Sequence, residues 1–211
     1  MDRLEFLKKM KTAVLAAGLL MMSTSCAFSG NSGNTVLNGD LKFTQADLSV
    51  KPFMEIEIET VADVYYTQTN GDQQDVRLDF SKISDPKFKK QLMENVKVVY
   101  RENKMIIGLA SRVKGISKLK NNERLRVYVT SPDLVKVSLE GVGSFNANAI
   151  NSDVFEIDNE GVGNVNVKNL LANKIEITNE GVGNVRIDNM QSDHVDIDNE
   201  GVGIVQIALF K

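Results

Sequence analysis

Asn159-Glu160-Gly161-Val162-Gly163 (NEGVG) returns at Asn179–Gly183 and Asn199–Gly203, and a variant, LEGVG, stands at Leu139–Gly143. From Ser131 onward the chain falls into rows of twenty residues around this phrase: SPDLVKVSLEGVGSFNANAI, NSDVFEIDNEGVGNVNVKNL, LANKIEITNEGVGNVRIDNM and QSDHVDIDNEGVGIVQIALF. Self-similarity at a fixed period signals stacked supersecondary units. Each row holds two alternating apolar pieces. Val135 and Val137 match Phe155 and Ile157, Ile175 and Ile177, Val195 and Ile197. Beyond the glycines, Phe145 and Ala147 match Val165 and Val167, Val185 and Ile187, Val205 and Ile207; each row then ends on an apolar residue, Ile150, Leu170, Met190 or Phe210. No apolar run reaches helical length or shows a 3.6-residue period, so short strands joined at glycine corners are expected. Coiling the chain so that each turn stacks on the last gives a parallel β-helix, with equivalent residues about 4.8 Å apart.

That geometry assigns roles to the repeated phrase. Gly141, Gly143, Gly161, Gly163, Gly181, Gly183, Gly201 and Gly203 supply positive φ or close backbone approach at one corner of every coil. Asn159, Asn179 and Asn199 stack into an amide ladder. Glu140, Glu160, Glu180 and Glu200 form a second ladder with a harder requirement. Carboxylates about 5 Å apart repel by roughly 0.8 kcal/mol per pair in water-like surroundings, and by about four times that when partly buried. A solvated stripe tolerates this, as do carboxylates that accept backbone N–H bonds at the corner. A buried ladder needs compensation, for which Ca²⁺ is a candidate, with Asp158 and Asp198 nearby in sequence. The rows do not match the calcium nonapeptide GGxGxDxUx in period or acid position. No catalytic, cofactor-binding or metal residue is therefore assigned, and the cation reading of the glutamates stays open.

Upstream of the rows, residues 41–130 read as strand, turn, strand. FMEIEIE sets Met54, Ile56 and Ile58 on one side and Glu55, Glu57 and Glu59 on the other. ADVYYTQ and DVRLDF flank Asn70-Gly71, a pair that tolerates positive φ and predicts a turn between paired strands. Pro86 after Asp85 starts a short helix whose Phe88, Leu92 and Met93 form its buried stripe. VKVVY and KMIIGLA pair around RENK. A basic run follows, with Arg112, Lys114, Lys118, Lys120, Arg124 and Arg126. It lacks the interleaved aromatics of a nucleic-acid platform and reads as a solvated loop, with an anionic polymer or lipid headgroups as the sharper alternative.

The N-terminus carries an address. Lys8, Lys9 and Lys11 precede the apolar run AVLAAGLLMM, which has the length of a signal-peptide core and is too short to span a bilayer. It ends in MSTSC, whose Cys26 is the single cysteine of the chain. The arrangement resembles the lipobox of bacterial lipoproteins, which implies a diacylglycerol thioether at Cys26 and a membrane anchor. Starting at Met10 would give a signal free of Asp2 and Glu5. With Cys26 modified, no thiol remains for a disulfide. The chain thus divides into a signal peptide, 1–25; a flexible tether, 26–40, rich in glycine and serine; a β-rich part, 41–130; and the coils, 131–211. Past residue 25 there are 21 basic and 26 acidic residues, a mildly acidic body that is not steered toward nucleic acid.

The leader, the introductory segment FMEIEIETVADVYYTQTNGDQQDVRLDF, the strand and turn LRVYVTSPDLVKVSLEGVG and the glycine-bracketed coils together resemble the head GIN domain, a family described as an auto-transporter adhesin head. The resemblance covers roughly Phe43 to Lys211. It implies an all-β, right-handed parallel β-helix on an envelope protein of the kind common in Bacteroidetes, and it carries across no catalytic residue; with the lipid anchor, an outer-membrane location is expected, facing either the periplasm or the surface. EGVG stands here where many relatives have SGSG. The leading expectation is a noncatalytic, lipid-anchored protein whose coils present a binding or adhesion surface to a polymer or protein. The alternatives are an enzyme acting on acidic polysaccharide and a self-assembling scaffold joined through an uncapped last coil. Against the enzyme, the carboxylates recur with the repeat and there is no tryptophan; His194 occupies a variable slot held by Leu134, Val154 and Lys174 in the other rows.

Overall fold

The computed structural model describes residues 35–38, 41–44, 50–111, 113 and 123–209. The leader, Cys26 and most of the basic run lie outside the described residues. What is described is all-β apart from one helix. Strands β1 (Thr35–Asn38) and β2 (Leu41–Thr44) form a two-stranded antiparallel pair, and the other twelve strands share one curled sheet.

The repeated rows are the backbone of that sheet. Strands β10 (Val142–Asn159) and β11 (Val162–Asn179) are each 18 residues long and run parallel, with Val142 opposite Val162 and Asn159 opposite Asn179. The next row continues the twenty-residue register with β12 (Val185–Gln191) and β13 (His194–Asn199), both on β11, and β14 (Val205–Leu209) lies on β12. A long row serves two arms of the sheet. Residues 142–147 of β10 lie on β4 (Val61–Gln68), while its residues 156–159 lie on β9 (Lys136–Leu139). Inward side chains of both arms, Phe145 and Phe155 among them, are fully buried in one core. The alternation of period two therefore works twice per row, once on each arm.

Beneath the repeats lies a row that the repeat pattern does not announce. Strand β3 (Glu55–Ile58) pairs with β9 so that Ile58 faces Leu139, and β4 pairs with β10 so that Val61 faces Val142. Glu59-Thr60-Val61-Ala62-Asp63 thus stands under Glu140-Gly141-Val142-Gly143-Ser144. Below it, β7 (Lys104–Leu109) lies on β3 and β8 (Leu125–Ser131) lies on β4, both parallel. The outer edges are closed by antiparallel strands, β6 (Val96–Arg101) on β7 and β5 (Asp75–Asp79) on β8.

This stacking explains the glycines. A Cβ on Gly183 would lie 1.6 Å from the carbonyl oxygen of Gly163, and one on Gly143, at φ +156°, would lie 1.8 Å from that of Ala62. Each corner rests directly on the backbone of the corner beneath, so close approach is the governing requirement. Thr60 and Ala62 occupy the same corner in the lowest full row without being glycine. In the row beneath, Leu125 of β8 lies opposite Ala62.

Helix α1 (Pro86–Asn95) begins as expected. Asp85 caps it, its Oδ1 accepting from the N–H groups of Lys87 at 2.8 Å and Phe88 at 3.1 Å. Leu92 is fully buried, with Phe88 and Met93 packed more loosely against the core. The hairpin around RENK also forms, with Glu102 at φ 55° in its turn.

Other expectations are corrected. β4 and β5 are not partners, because β8 lies between them, parallel to one and antiparallel to the other. Gly71 does not take a positive φ. In FMEIEIE, Ile56 and Ile58 are buried but Met54 is 40% exposed, and Phe53 fills the core in its place. In the first repeat row Leu134 is buried and Val135 only half-buried.

Candidate functional site

The glutamate ladder forms at the corner and is longer than the repeat suggests. Glu140, Glu160, Glu180 and Glu200 are all exposed, and Glu59 continues the column beneath Glu140. At the Glu140, Glu160 and Glu180 levels the corner N–H groups bond to backbone; those of Glu160 and Gly161, for instance, share the carbonyl of Leu139. Exposure lets the carboxylates splay, which makes the stripe tolerable. At its lower end Glu57, Glu59 and Glu140 bring carboxylate oxygens within 4.8 Å of one another, the one such trio among the described residues. Lys104 Nζ bonds Glu57 at 2.6 Å. Burial alone would raise the Glu57 pKa, but that lysine holds it below the ordinary carboxylate value. Glu59 is raised by burial and by its bond to and repulsion from Glu57, and Glu140 is raised by burial and the neighbouring acids. Asp158 does not join the ladder; it lies 3.7 Å from Lys136, which also bonds Glu156 at 2.6 Å. Asp198 and His194 are exposed residues of β13, paired in register with Thr178 and Lys174. Of the basic run, Arg124 is described, and it bonds Asp63 at 3.2 Å; Arg126 sits in β8.

The asparagine ladder is structural. Asn159 Nδ2 donates to Asn179 Oδ1, and Asn179 Nδ2 to Asn199 Oδ1, both at 2.6 Å. Leu139 takes the equivalent place in the row below, where the ladder stops, leaving the buried Oδ1 of Asn159 without a partner.

A different constellation lies on the outer surface of the first arm. Strand register sets Arg77, Tyr128, Tyr65, Asn146 and Asn166 in one column across five strands. Period-two alternation turns these side chains outward while Tyr66 and Val127 point into the core. The Tyr65 and Tyr128 rings stack with centroids 5.3 Å apart and planes 21° apart, and the Arg77 guanidinium lies 4.6 Å from the Tyr128 centroid. Tyr128 is therefore sandwiched between Arg77 and Tyr65. Beyond Tyr65 the column drops to the shorter Asn146, and the step opens a hollow of about 280 Å³ lined by Tyr65, Thr67, Asn146, Asn148, Asn166 and Lys168, among others. Asn146 forms a fixed floor, with Nδ2 bonding Ser144 Oγ at 2.8 Å and Val64 O at 3.2 Å while its Oδ1 accepts from Asn166 Nδ2 at 3.0 Å.

Sequence reasoning missed this hollow because Tyr65 and Tyr128 lie 63 positions apart on strands whose pairing no local pattern reveals. The hidden row beneath the repeats did leave a signal. ETVAD at Glu59–Asp63 shares its Glu and Val with EGVGS at Glu140–Ser144, with Thr60 and Ala62 in the glycine places and Asp63 against Ser144.

One solved structure supports this architecture by its likeness of fold. The crystal structure of a putative adhesin from Bacteroides fragilis superposes with a TM-score of 0.53 at 19% identity, covering 75% of this chain and 94% of that one. A putative adhesin from Parabacteroides distasonis gives 0.45 at 20% identity, covering 77% and 75%, and a putative lipid binding protein from the same organism gives 0.41 at 13% identity, covering 76% and 95%. No curated protein matches the chain. The family model described as "Putative auto-transporter adhesin, head GIN domain" matches residues 52–210, and the chain belongs to that family.

Proposed function

We propose that the protein is a noncatalytic, lipid-anchored component of the bacterial cell envelope that binds an external polymer or protein on the outer face of its first arm. The observation that carries this reading is the Tyr65 hollow, a concave site on a sheet face with a stacked aromatic wall and a hydrogen-bonded Asn146 floor. Pockets with a few convergent polar groups are the usual places for ligand recognition. The family's description as an adhesin head supports the same role and an envelope location. The twenty-residue parallel register supports reading the rows as coils of a right-handed parallel β-helix, a shape that holds the face rigid. Among the described residues no helix is long and apolar enough to cross a membrane, and the lipobox at Cys26 would supply the attachment.

The carboxylates nearest one another, Glu57, Glu59 and Glu140, sit at the corner and not in the hollow, which favours binding over hydrolysis there. A second reading, self-association, draws on the last row, where Val202 is 72%, Ile204 58% and Leu209 71% exposed. A sedimentation coefficient that does not change with concentration would remove it. The main reading is tested with beads coated with the exported chain and offered to bacterial and host cell surfaces. Saturable capture supports it, and capture no better than an unrelated coat protein refutes it. Metabolic labelling with an alkyne fatty acid, lost in Cys26→Ser, tests the anchor.

A further inference from the structure

Resting on the surface-binding reading above, we propose that the ligand of the first-arm hollow is a glycan, with one pyranose ring seated against Tyr65. The argument begins with the ring itself. Tyr65 has Tyr128 on one side and Asn146 on the other, since β4 lies between β8 and β10. The shorter amide leaves that second side of the ring open to the hollow, and Tyr65 is 36% exposed despite its stack. An aromatic face carries negative charge density. The axial C–H groups of a pyranose present a weakly positive, flat apolar patch that fits it. The stack on Tyr128, itself held by Arg77, fixes the plane before any ligand arrives, so little side-chain freedom is lost on binding.

The polar groups around the ring suit hydroxyls. Asn146 is consumed by bonds within the protein and acts as floor. The side chain of Asn148, the Oδ1 of Asn166 and the Nζ of Lys168 have no bond to protein among the described residues, and all three residues line the hollow. Together they offer donors and acceptors at the rim of an aromatic plane, which is the complement of a sugar's alternating C–H face and hydroxyl edge. Other occupants fit less well. An extended peptide recognised through its backbone needs an unpaired strand edge, whereas this is the interior of a sheet face. Nucleic acid needs a row of cations, and the chain has a net charge of −3.

A glycan microarray of diverse monosaccharide content, probed with the fluorescently labelled exported chain, tests the proposal, followed by calorimetric titration of the best oligosaccharide. Binding should weaken about tenfold in Tyr65→Ala, stay within about twofold in Tyr65→Phe, and weaken severalfold in Asn148→Ala. Asn148 is exposed, and its one bond, from Asn169 Nδ2 at 3.0 Å, is to its backbone carbonyl, so its side-chain variant keeps the test valid if Tyr65→Ala fails to fold. No glycan bound above an unrelated protein overturns the proposal. So does a bound glycan whose affinity is the same in Tyr65→Ala, or in Asn148→Ala should Tyr65→Ala not fold. If the coated beads still capture cells while the array stays blank, the glycan is wrong and the surface-binding role stands; if neither binds, both fall.

Discussion

Replacing Asn179 by leucine isolates the energetics of the buried amide ladder. The side chain of Asn179 accepts from Asn159 and donates to Asn199, each at 2.6 Å. Its loss strands two groups in different surroundings. Asn199 is exposed, so its Oδ1 turns to water at little cost. Asn159 is fully buried, so its Nδ2 loses its acceptor with no solvent to replace it. A buried donor left unpaired costs about 1–3 kcal/mol, and about 2 kcal/mol in a body of this size lowers Tm by about 4–8 °C. The double variant Asn159→Leu with Asn179→Leu should recover much of that loss. It removes the stranded amide together with the Asn159 Oδ1 that already lacks a partner. Leucine fits the position, because Leu139 holds it in the row below and is fully buried. Urea unfolding of the wild type, the single variant and the double variant gives the three midpoints. A double variant less stable than the single would refute the reasoning, since the ladder would then be worth more than its unpaired ends.

Three further outcomes follow from the same geometry. Gly183→Ala should unfold the chain at a much lower temperature or prevent its folding, because the added carbon would sit 1.6 Å from the Gly163 carbonyl oxygen; Gly71→Ala, with nothing within 4 Å, should leave the melt within about 2 °C of wild type. The acid cluster should show opposite pH signatures. Glu140 has its folded pKa raised above the ordinary 4.5, so its ionisation with rising pH disfavours the fold, and Glu140→Gln should raise Tm at neutral pH with the gain vanishing as pH falls below that value. Glu57 is lowered, so its contribution is present above its unfolded value and lost as pH falls through the folded one; Glu57→Gln should lower Tm at neutral pH and converge with wild type in acid. Identical shifts at both pH values would sink the assignment. Asp85→Ala removes both bonds of the α1 cap and should cost about 1 kcal/mol, read as a drop in Tm of about 2–4 °C.

The repeated Asn-Glu-Gly-Val-Gly phrase by itself determined the row length, the strand alternation, the glycine corners and the asparagine ladder. These are local or strictly periodic features, and a period of twenty residues places like on like whatever else the chain does. The same logic exposed the helix start at Asp85-Pro86 and the RENK hairpin, where a capping residue and a short turn act within a few positions. Pairing between segments far apart in sequence was beyond it. That β8 inserts between β4 and β5, that ETVAD forms a further row, and that Glu57 and Glu59 join Glu140 depend on which strand edges meet. Backbone hydrogen bonds at those edges are the same for every residue type, so the choice is made by how the whole set of inward side chains fills one core. The hollow beside Tyr65 comes from that choice too. It exists because a tall ring and a short amide, 81 positions apart, are set side by side by register, and side-chain height along a column is a property of the assembled sheet alone.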